Sequence, residues 1–110
     1  MLLLDTQALI WLAEGVSRLG RRSRRMIDRS LPQAGIAVAT ISFWEIAHLV
    51  RRGRMVLDVP VASWRLRVLE LGIQEFALSG DIAVAAAELD GFQADPADRI
   101  IVATANAADG

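Results

Sequence analysis

Short apolar runs alternate along this chain with segments of helical periodicity. The runs Met1–Leu4, Ile36–Thr40 and Ile73–Leu78 have the length and the apolar or β-branched character of buried strands. After each run, apolar residues recur at helical spacing. Strands that alternate with helices are typical of an α/β fold with a parallel sheet. We expect ligands at the carboxyl ends of these strands, where strand order reverses.

Capping residues and helix breakers predict where the helices begin and end. The predicted helices are Thr6–Glu14, Gly20–Leu31, Phe43–Arg52 with Ser42 as its N-cap and Gly53 after its end, Val61–Leu71, Asp81–Leu89 after Ser79 and Gly80, and Pro96–Ala108. The last helix is apolar on nearly all sides, so we expect its amino-terminal residues to face an interior crevice. No repeat or linker interrupts the pattern, which indicates one domain over residues 1–110.

Composition narrows the class of protein. The chain has 110 residues, of which 54% are hydrophobic, and a formal net charge of −1. Its overall field therefore gives no attraction to nucleic acid or to an anionic membrane, and any polyanion site must be local. The absence of cysteine excludes thiolate metal sites and favours a reducing compartment, and no uncharged run is long enough for a membrane span. We expect a cytoplasmic protein.

Three acidic residues stand where an apolar segment disfavours them. Asp5 ends the first strand, Glu45 lies in the first turn of the helix after the second strand, and Asp98 starts the last helix. Taken singly, each is explained by the attraction of a first-turn acid to the helix dipole, worth about 0.3–1 kcal/mol. The predicted topology sends all three to the same edge of the sheet, so we expect them to form a cluster.

A carboxylate cluster predicts a bound cation. Packed carboxylates repel and raise one another's pKa unless a cation neutralises them. Mg²⁺ or Mn²⁺ fits oxygen ligands, and either ion can lower the pKa of a water molecule and stabilise charge on a phosphodiester. With no cysteine and one histidine, zinc is a poor candidate.

Three segments carry a family resemblance: LLLDTQALIWL, ISFWEIAHLVRRGRM and DPADRIIVATANA. In this order they resemble the signature segments of PIN-domain ribonucleases, specifically the VapC toxins of bacterial toxin-antitoxin pairs. The resemblance also includes RLGRRSRRMID and GIQEFAL. It implies a PIN-like three-layer α/β/α sandwich with a central parallel sheet. The catalytic, metal-binding acids of the family fall on Asp5, Glu45 and Asp98, and Thr6 matches a hydroxyl residue that can steady a carboxylate or a metal water.

The resemblance also implies a function. The chain would be the toxin of a type II toxin-antitoxin pair and a Mg²⁺- or Mn²⁺-dependent endoribonuclease. Its partners would be the RNA substrate, a VapB-type antitoxin and a second copy of the chain, with DNA contacted only through the antitoxin complex. The family usually carries a fourth acid in a strand after the last helix. Because this sequence stops at Gly110, we expect a C-terminally incomplete domain without that strand, and we do not assign Asp109 as the missing ligand.

Other residues allow more than one interpretation. Arginines could hold RNA phosphates, form a solvated face or contact the antitoxin. These are Arg18, Arg21, Arg22, Arg24, Arg25 and Arg29, in or just before the predicted second helix, and Arg51, Arg52 and Arg54, at or just after the end of the Glu45 helix. We expect His48 to pack or to support a ligand rather than to act as a base, and Asp95 to cap the last helix. Trp11, Trp44 and Trp64 suit the core or a partner groove better than base stacking.

Two other classes of protein remain as alternatives. One is a non-catalytic PIN-like interaction module, whose partner covers the unpaired sheet edge. The other is an aspartyl-phosphate domain, which is disfavoured because the chain has no lysine and because Gln7 stands where a phosphatase of this class needs a second aspartate.

Overall fold

A computed structural model of the chain describes residues 1–15, 35–91 and 95–109. Helix α1 begins at residue 6 and continues to residue 15, where the first described segment ends. The other elements are β1 (Leu2–Leu4), β2 (Ile36–Ala39), α2 (Thr40–Arg51), α3 (Val61–Glu70), β3 (Gln74–Phe76), α4 (Gly80–Ala87) and α5 (Pro96–Asp109). The predicted helix Gly20–Leu31 and the six arginines between residues 18 and 29 lie outside the described residues.

The three strands form one parallel sheet in the order β1-β2-β3. Leu4 pairs with Val38, and Val38 pairs with Glu75, so all three strands end at the same edge. The described strands follow chain order, so the reversal of strand order that we expected is not among them. Parallel pairing alone nevertheless brings the starts of α1 and α2 to one edge of the sheet. The predicted α/β sandwich with a central parallel sheet is confirmed.

A buried apolar cluster packs α1, α2 and α3 against the sheet. Its members are Leu9, Val38, Phe43, Ile46, Trp64, Val68, Leu71 and Ile73. Trp64 is therefore a core residue, and its ring meets that of Phe43 edge to face with the centroids 6.3 Å apart. None of the helices in the described segments combines the length and the apolar character that crossing a membrane requires.

Helix α2 begins three residues earlier than the sequence predicts. Its first residue, Thr40, donates its hydroxyl hydrogen to Glu75 Oε2 at 2.8 Å, which fastens the first turn to β3. The N-cap is Ala39, which makes no side-chain cap bond. Ser42, predicted as the N-cap, is instead a fully buried residue of the first turn.

The end of α2 is as predicted. Gly53 has a φ of 73°, a left-handed conformation that glycine adopts without steric cost. The N–H groups of Gly53 and Arg54 donate to the carbonyls of Val50 at 3.1 Å and Leu49 at 2.9 Å. This pair of bonds is a Schellman motif, which satisfies carbonyls that the helix end leaves open.

Helices α4 and α5 pack as a pair. As predicted, Ser79 caps α4, accepting a bond from the N–H of Ile82. At the other end of α4, the guanidinium of Arg99 on α5 donates to the carbonyls of Ala86 at 3.0 Å, Ala87 at 3.0 Å and Leu89 at 2.8 Å. This contact fixes the first turn of α5 against the carbonyl end of α4.

Candidate metal centre

Asp5 stands directly after β1 and caps helix α1. Its Oδ1 atom accepts a hydrogen bond of 2.7 Å from the N–H of Ala8, which is the geometry of an N-cap. A helix-start role thus accounts for one oxygen of this exposed side chain. The other oxygen meets no donor among the described residues.

Glu45 lies in the second turn of α2 rather than in the first, because the helix begins at Thr40. The helix dipole acts mainly within the first turn, so it does not explain this acid. The half-buried carboxylate accepts a hydrogen bond from the hydroxyl of Thr6, the first residue of α1. The hydroxyl oxygens of Thr6 and Ser42 are 2.9 Å apart. Since a hydroxyl has one hydrogen, Ser42 is the donor to Thr6 when Thr6 donates to Glu45.

Asp95 and Asp98 lie together at the start of α5. Oδ1 of Asp95 accepts a hydrogen bond of 2.9 Å from the N–H of Asp98, so Asp95 caps this helix as predicted. Both residues are exposed, and the expectation that Asp98 faces an interior crevice is wrong. The cause is that only one side of α5 is covered, with Ala97, Ile101 and Ala103 buried.

Three of these carboxylates converge. One oxygen each from Glu45, Asp95 and Asp98 lie within 4.8 Å of one another. We call these three residues the acid cluster. Asp5 does not join them at that distance, although its charge acts on two of them. Of the three acids predicted from the sequence, the structure brings Glu45 and Asp98 together, adds Asp95 and leaves Asp5 beside the cluster.

The acid cluster is electrostatically unfavourable when no cation is bound. The pKa of Glu45 is raised, first by burial and then by the charges of Asp98, Asp95 and Asp5, against a lowering by the Thr6 hydrogen bond. The pKa of Asp98 is raised by desolvation, by the charge of Asp95 and a hydrogen bond with its side chain, and by the charge of Asp5. Among the described residues, no cationic group contributes to either pKa.

The residues present fit a hard divalent cation. The cluster offers carboxylate oxygens only, the donor set that Mg²⁺ and Mn²⁺ prefer. His48, the one histidine of the chain, lies instead against the indole of Trp44, with ring centroids 5.1 Å apart and planes 8° from parallel. A nitrogen or sulfur ligand for zinc is therefore missing from the cluster.

The PIN-domain family model matches residues 2–110 of the chain. The chain belongs to the PIN-domain family. It is 35% identical over 104 residues to Ribonuclease VapC22 of Mycobacterium tuberculosis (strain ATCC 25618 / H37Rv), an alignment that covers 94% of this chain and 77% of the relative. No solved structure matches the chain. The resemblance to VapC-type PIN proteins is confirmed.

Two residues near the acids of this PIN domain were not predicted there from the sequence. Asp95 was expected mainly as a cap, yet its carboxylate belongs to the acid cluster. Its signal was the spacing of Asp95 and Asp98, which places two side chains on the same face of a helix start. Ser42 had no such signal, because its bond with Thr6 depends on the pairing of β1 with β2.

The structure shows which of the tryptophans and arginines are exposed. Trp64 is in the core, whereas Trp11 and Trp44 are 78% and 58% exposed. Trp44 is therefore not a core residue. Arg51, at the end of α2, and Arg52 and Arg54, just beyond it, are exposed. Their side chains form no ion pair with an acid of the described segments.

Proposed function

We propose that this PIN domain is the toxin of a type II toxin-antitoxin pair and that it cleaves RNA internally with bound Mg²⁺ or Mn²⁺. One observation carries the proposal. Carboxylates from two separate parts of the chain converge in the acid cluster without a compensating cationic side chain among the described residues. Similarity to a VapC ribonuclease supports the same reaction class.

In this proposal, Asp5, Glu45 and Asp98 are the catalytic residues that hold the cation. Bound there, the ion supplies a more acidic water and neutralises charge that develops on the phosphodiester. Thr6 keeps the Glu45 carboxylate oriented through its hydrogen bond. Asp5 has one carboxylate oxygen that makes no cap bond. We propose that this oxygen contacts the cation at the margin of the site, either directly or through a water molecule, since Mg²⁺ usually retains several waters.

Asp95 supplies a further carboxylate beside Asp98. We propose that it helps to bind the cation, although its Oδ1 also caps α5. A carboxylate has two oxygens, and it can accept a backbone N–H with one while the other faces an ion. The acidic ligands would thus number more than the three that the family resemblance assigns to this sequence.

The proposed partners follow from the VapC-type relationship. They are an RNA substrate, a VapB-type antitoxin that silences the enzyme and a second copy of the chain. Promoter DNA would be reached only through the antitoxin complex, and the compartment would be the cytoplasm. The second candidate is a non-catalytic PIN-like interaction module, which the placement of Asp5 outside the acid cluster favours.

The test compares wild type with Asp5→Asn, Glu45→Gln and Asp98→Asn. Each variant is incubated with total RNA in Mg²⁺ or Mn²⁺, and new RNA ends are mapped by sequencing. We expect cleavage to fall by more than about hundredfold in each variant, since the ion contributes several kcal/mol of transition-state stabilisation. The matched control is Asp81→Asn, which removes a first-turn acid of α4 that is not part of the acid cluster.

The outcomes are distinct. Cleavage that persists in excess chelator would refute the metal-dependent mechanism. A wild type that cuts no RNA and whose unfolding temperature is unchanged by Mg²⁺ and Mn²⁺ would support the interaction module instead, because a ligand that binds only the folded state must stabilise it.

A further inference from the structure

The exposed face of α2 carries a groove that the acid cluster does not use. It has a volume of about 490 Å³ and is lined by Trp44, Ala47, His48, Arg51 and Arg52. We call it the α2 groove. Because α2 rises by 1.5 Å per residue, the groove extends about 12 Å along the helix from its indole to its last guanidinium.

The α2 groove begins next to the acid cluster. Trp44 precedes Glu45 in the chain, and consecutive helical residues project about 100° apart around the axis. The Glu45 carboxylate meets Asp95 and Asp98, while the neighbouring indole faces the groove. A ligand chain that crosses the acids can therefore continue directly onto the groove.

The aromatic part of the groove is a stacking surface. His48 covers one face of the Trp44 indole in a nearly parallel stack, yet the residue remains 58% exposed. The stack covers one face of the indole, and the exposed surface of Trp44 is available to a second flat ring. Stacking on an aromatic side chain is how proteins bind unpaired bases.

The remaining lining residues select a polyanion. Arg51 and Arg52 are exposed and form no ion pair within the described segments, and the lining includes no carboxylate. A basic residue in the last turn of a helix is favoured by the helix dipole, which accounts for Arg51 without any ligand. The helix dipole does not account for an exposed indole that stacks on a histidine. Guanidinium groups beside a stacking platform match the two parts of a single-stranded nucleotide.

We propose that the α2 groove binds the RNA strand beside the cleavage site, with an unpaired base stacked on Trp44 and the adjoining phosphates on Arg51 and Arg52. The inference rests on the proposed function for the identity of the ligand. It adds a preference to that function: the substrate must be single-stranded next to the cut, because the bases of a duplex are not available for stacking.

Binding is measured without cleavage, so that the groove is tested separately from the nuclease. Fluorescein-labelled oligoadenylate, oligouridylate and the duplex of the two are titrated with protein in EDTA, in the Asp98→Asn background. Trp44→Ala should weaken binding of the single strands by about tenfold or more, the range expected for one stacked base. Trp44→Phe should restore much of the loss. Trp11→Ala is the matched control, because it removes another exposed indole, one that lies on α1 and outside the groove lining.

The arginines are tested through salt dependence. Arg51→Ala and Arg52→Ala should each lower the slope of log K against log salt concentration by about 0.7, the value for one lost phosphate contact on a single strand. Arg54→Ala, an exposed arginine outside the groove lining, should leave the slope unchanged. A loss of structure alone would not change the slope selectively.

Steady-state kinetics of the same variants, with the acid cluster intact, distinguish an effect on KM from an effect on kcat. Trp44→Ala should raise KM for single-stranded RNA and leave kcat nearly unchanged. Unchanged binding and KM in Trp44→Ala would overturn the inference even if the protein is a nuclease, and a binding loss in Trp44→Ala would support it even if no RNA is cut. Weakened association with the proposed VapB-type antitoxin, with RNA binding unaffected, would identify the groove as a protein-docking surface and also overturn the inference.

Discussion

Glu75 on β3 and Glu45 on α2 are two glutamates whose surroundings carry opposite charge. Glu75 accepts hydrogen bonds from Thr40 and from the guanidinium of Arg65, with which it forms an ion pair. Glu45 accepts one bond from Thr6 and otherwise faces carboxylates. The first glutamate has the cation that it needs within the protein. The second has none among the described residues, so its charge arrangement is one that a bound cation would relieve.

The largest effect that separates these two regions should come from the ion itself. Adding Mg²⁺ or Mn²⁺ should raise the free energy of unfolding of the wild type by up to about 2.7 kcal/mol at a concentration one hundred times the Kd. Urea unfolding followed by circular dichroism measures this. Asp98→Asn should lose most of the gain and Asp81→Asn should keep it. An equal gain in all three proteins would mean that the ion binds elsewhere.

Removing the charge of Glu75, the glutamate paired with a cation, should lower the free energy of unfolding by nearly as much. Glu75→Gln leaves the Arg65 guanidinium, which also lies over the Phe43 ring at 5.6 Å, without its anion. We expect a loss of about 1–3 kcal/mol in the free energy of unfolding, with or without metal. Asp58→Asn is the matched control, because its pair with Arg67 is more exposed and should contribute little. A Glu75→Gln protein as stable as wild type would contradict the distinction between the two glutamates.

The hydroxyl of Thr6 links the uncompensated acid to the scaffold. Thr6→Val removes the donor to Glu45 with little change in shape, whereas Thr6→Ser retains it. We expect metal affinity to fall by about tenfold in the first variant and little in the second, in line with the loss of a bond that orients a ligand. Titration with Mn²⁺ by calorimetry gives the affinities. Equal affinities in the two variants would exclude an orienting role for the hydroxyl.

The smallest effect concerns stability without metal. The raised pKa of Asp98 means that ionising this acid costs free energy in the folded state. In EDTA, Asp98→Asn should therefore be slightly more stable than wild type at neutral pH. The difference should vanish below the ordinary pKa of an aspartate, grow as the pH rises towards the raised pKa and stay constant above it. A difference that shrinks over the same pH range would show that the sign is wrong.

Local signals predicted most of the fold correctly. Gly53 ends α2, Ser79 caps α4 and Asp95 caps α5, each through contacts within a few residues of the chain. The prediction of the start of α2 was wrong for a different reason. Ser42 has the composition of an N-cap, but the bond from Thr40 to Glu75 joins residues 35 positions apart, and no local pattern reports such a contact.

The candidate site was predictable to the same extent. Asp5, Glu45 and Asp98 were identified as acids in unusual places, and the parallel topology predicted that they would approach one another. Which oxygens converge depends on rotamers and helix starts. Asp5 uses one oxygen to accept the hydrogen bond from the N–H of Ala8, whereas Asp95 lies close enough to Asp98 to belong to the acid cluster. Both outcomes follow from capping bonds whose partners the sequence suggests but whose side-chain directions it does not give.

The contact of Arg99 with the carbonyl end of α4 has a consequence for how the protein assembles. It joins residues only 10 to 13 positions apart, so the α4–α5 hairpin closes a short loop at low entropic cost. Asp95 and Asp98 belong to this local unit, whereas Glu45 reaches them only through long-range packing. We expect the hairpin to form early in folding and the ion-binding geometry to appear last, when the sheet docks against it.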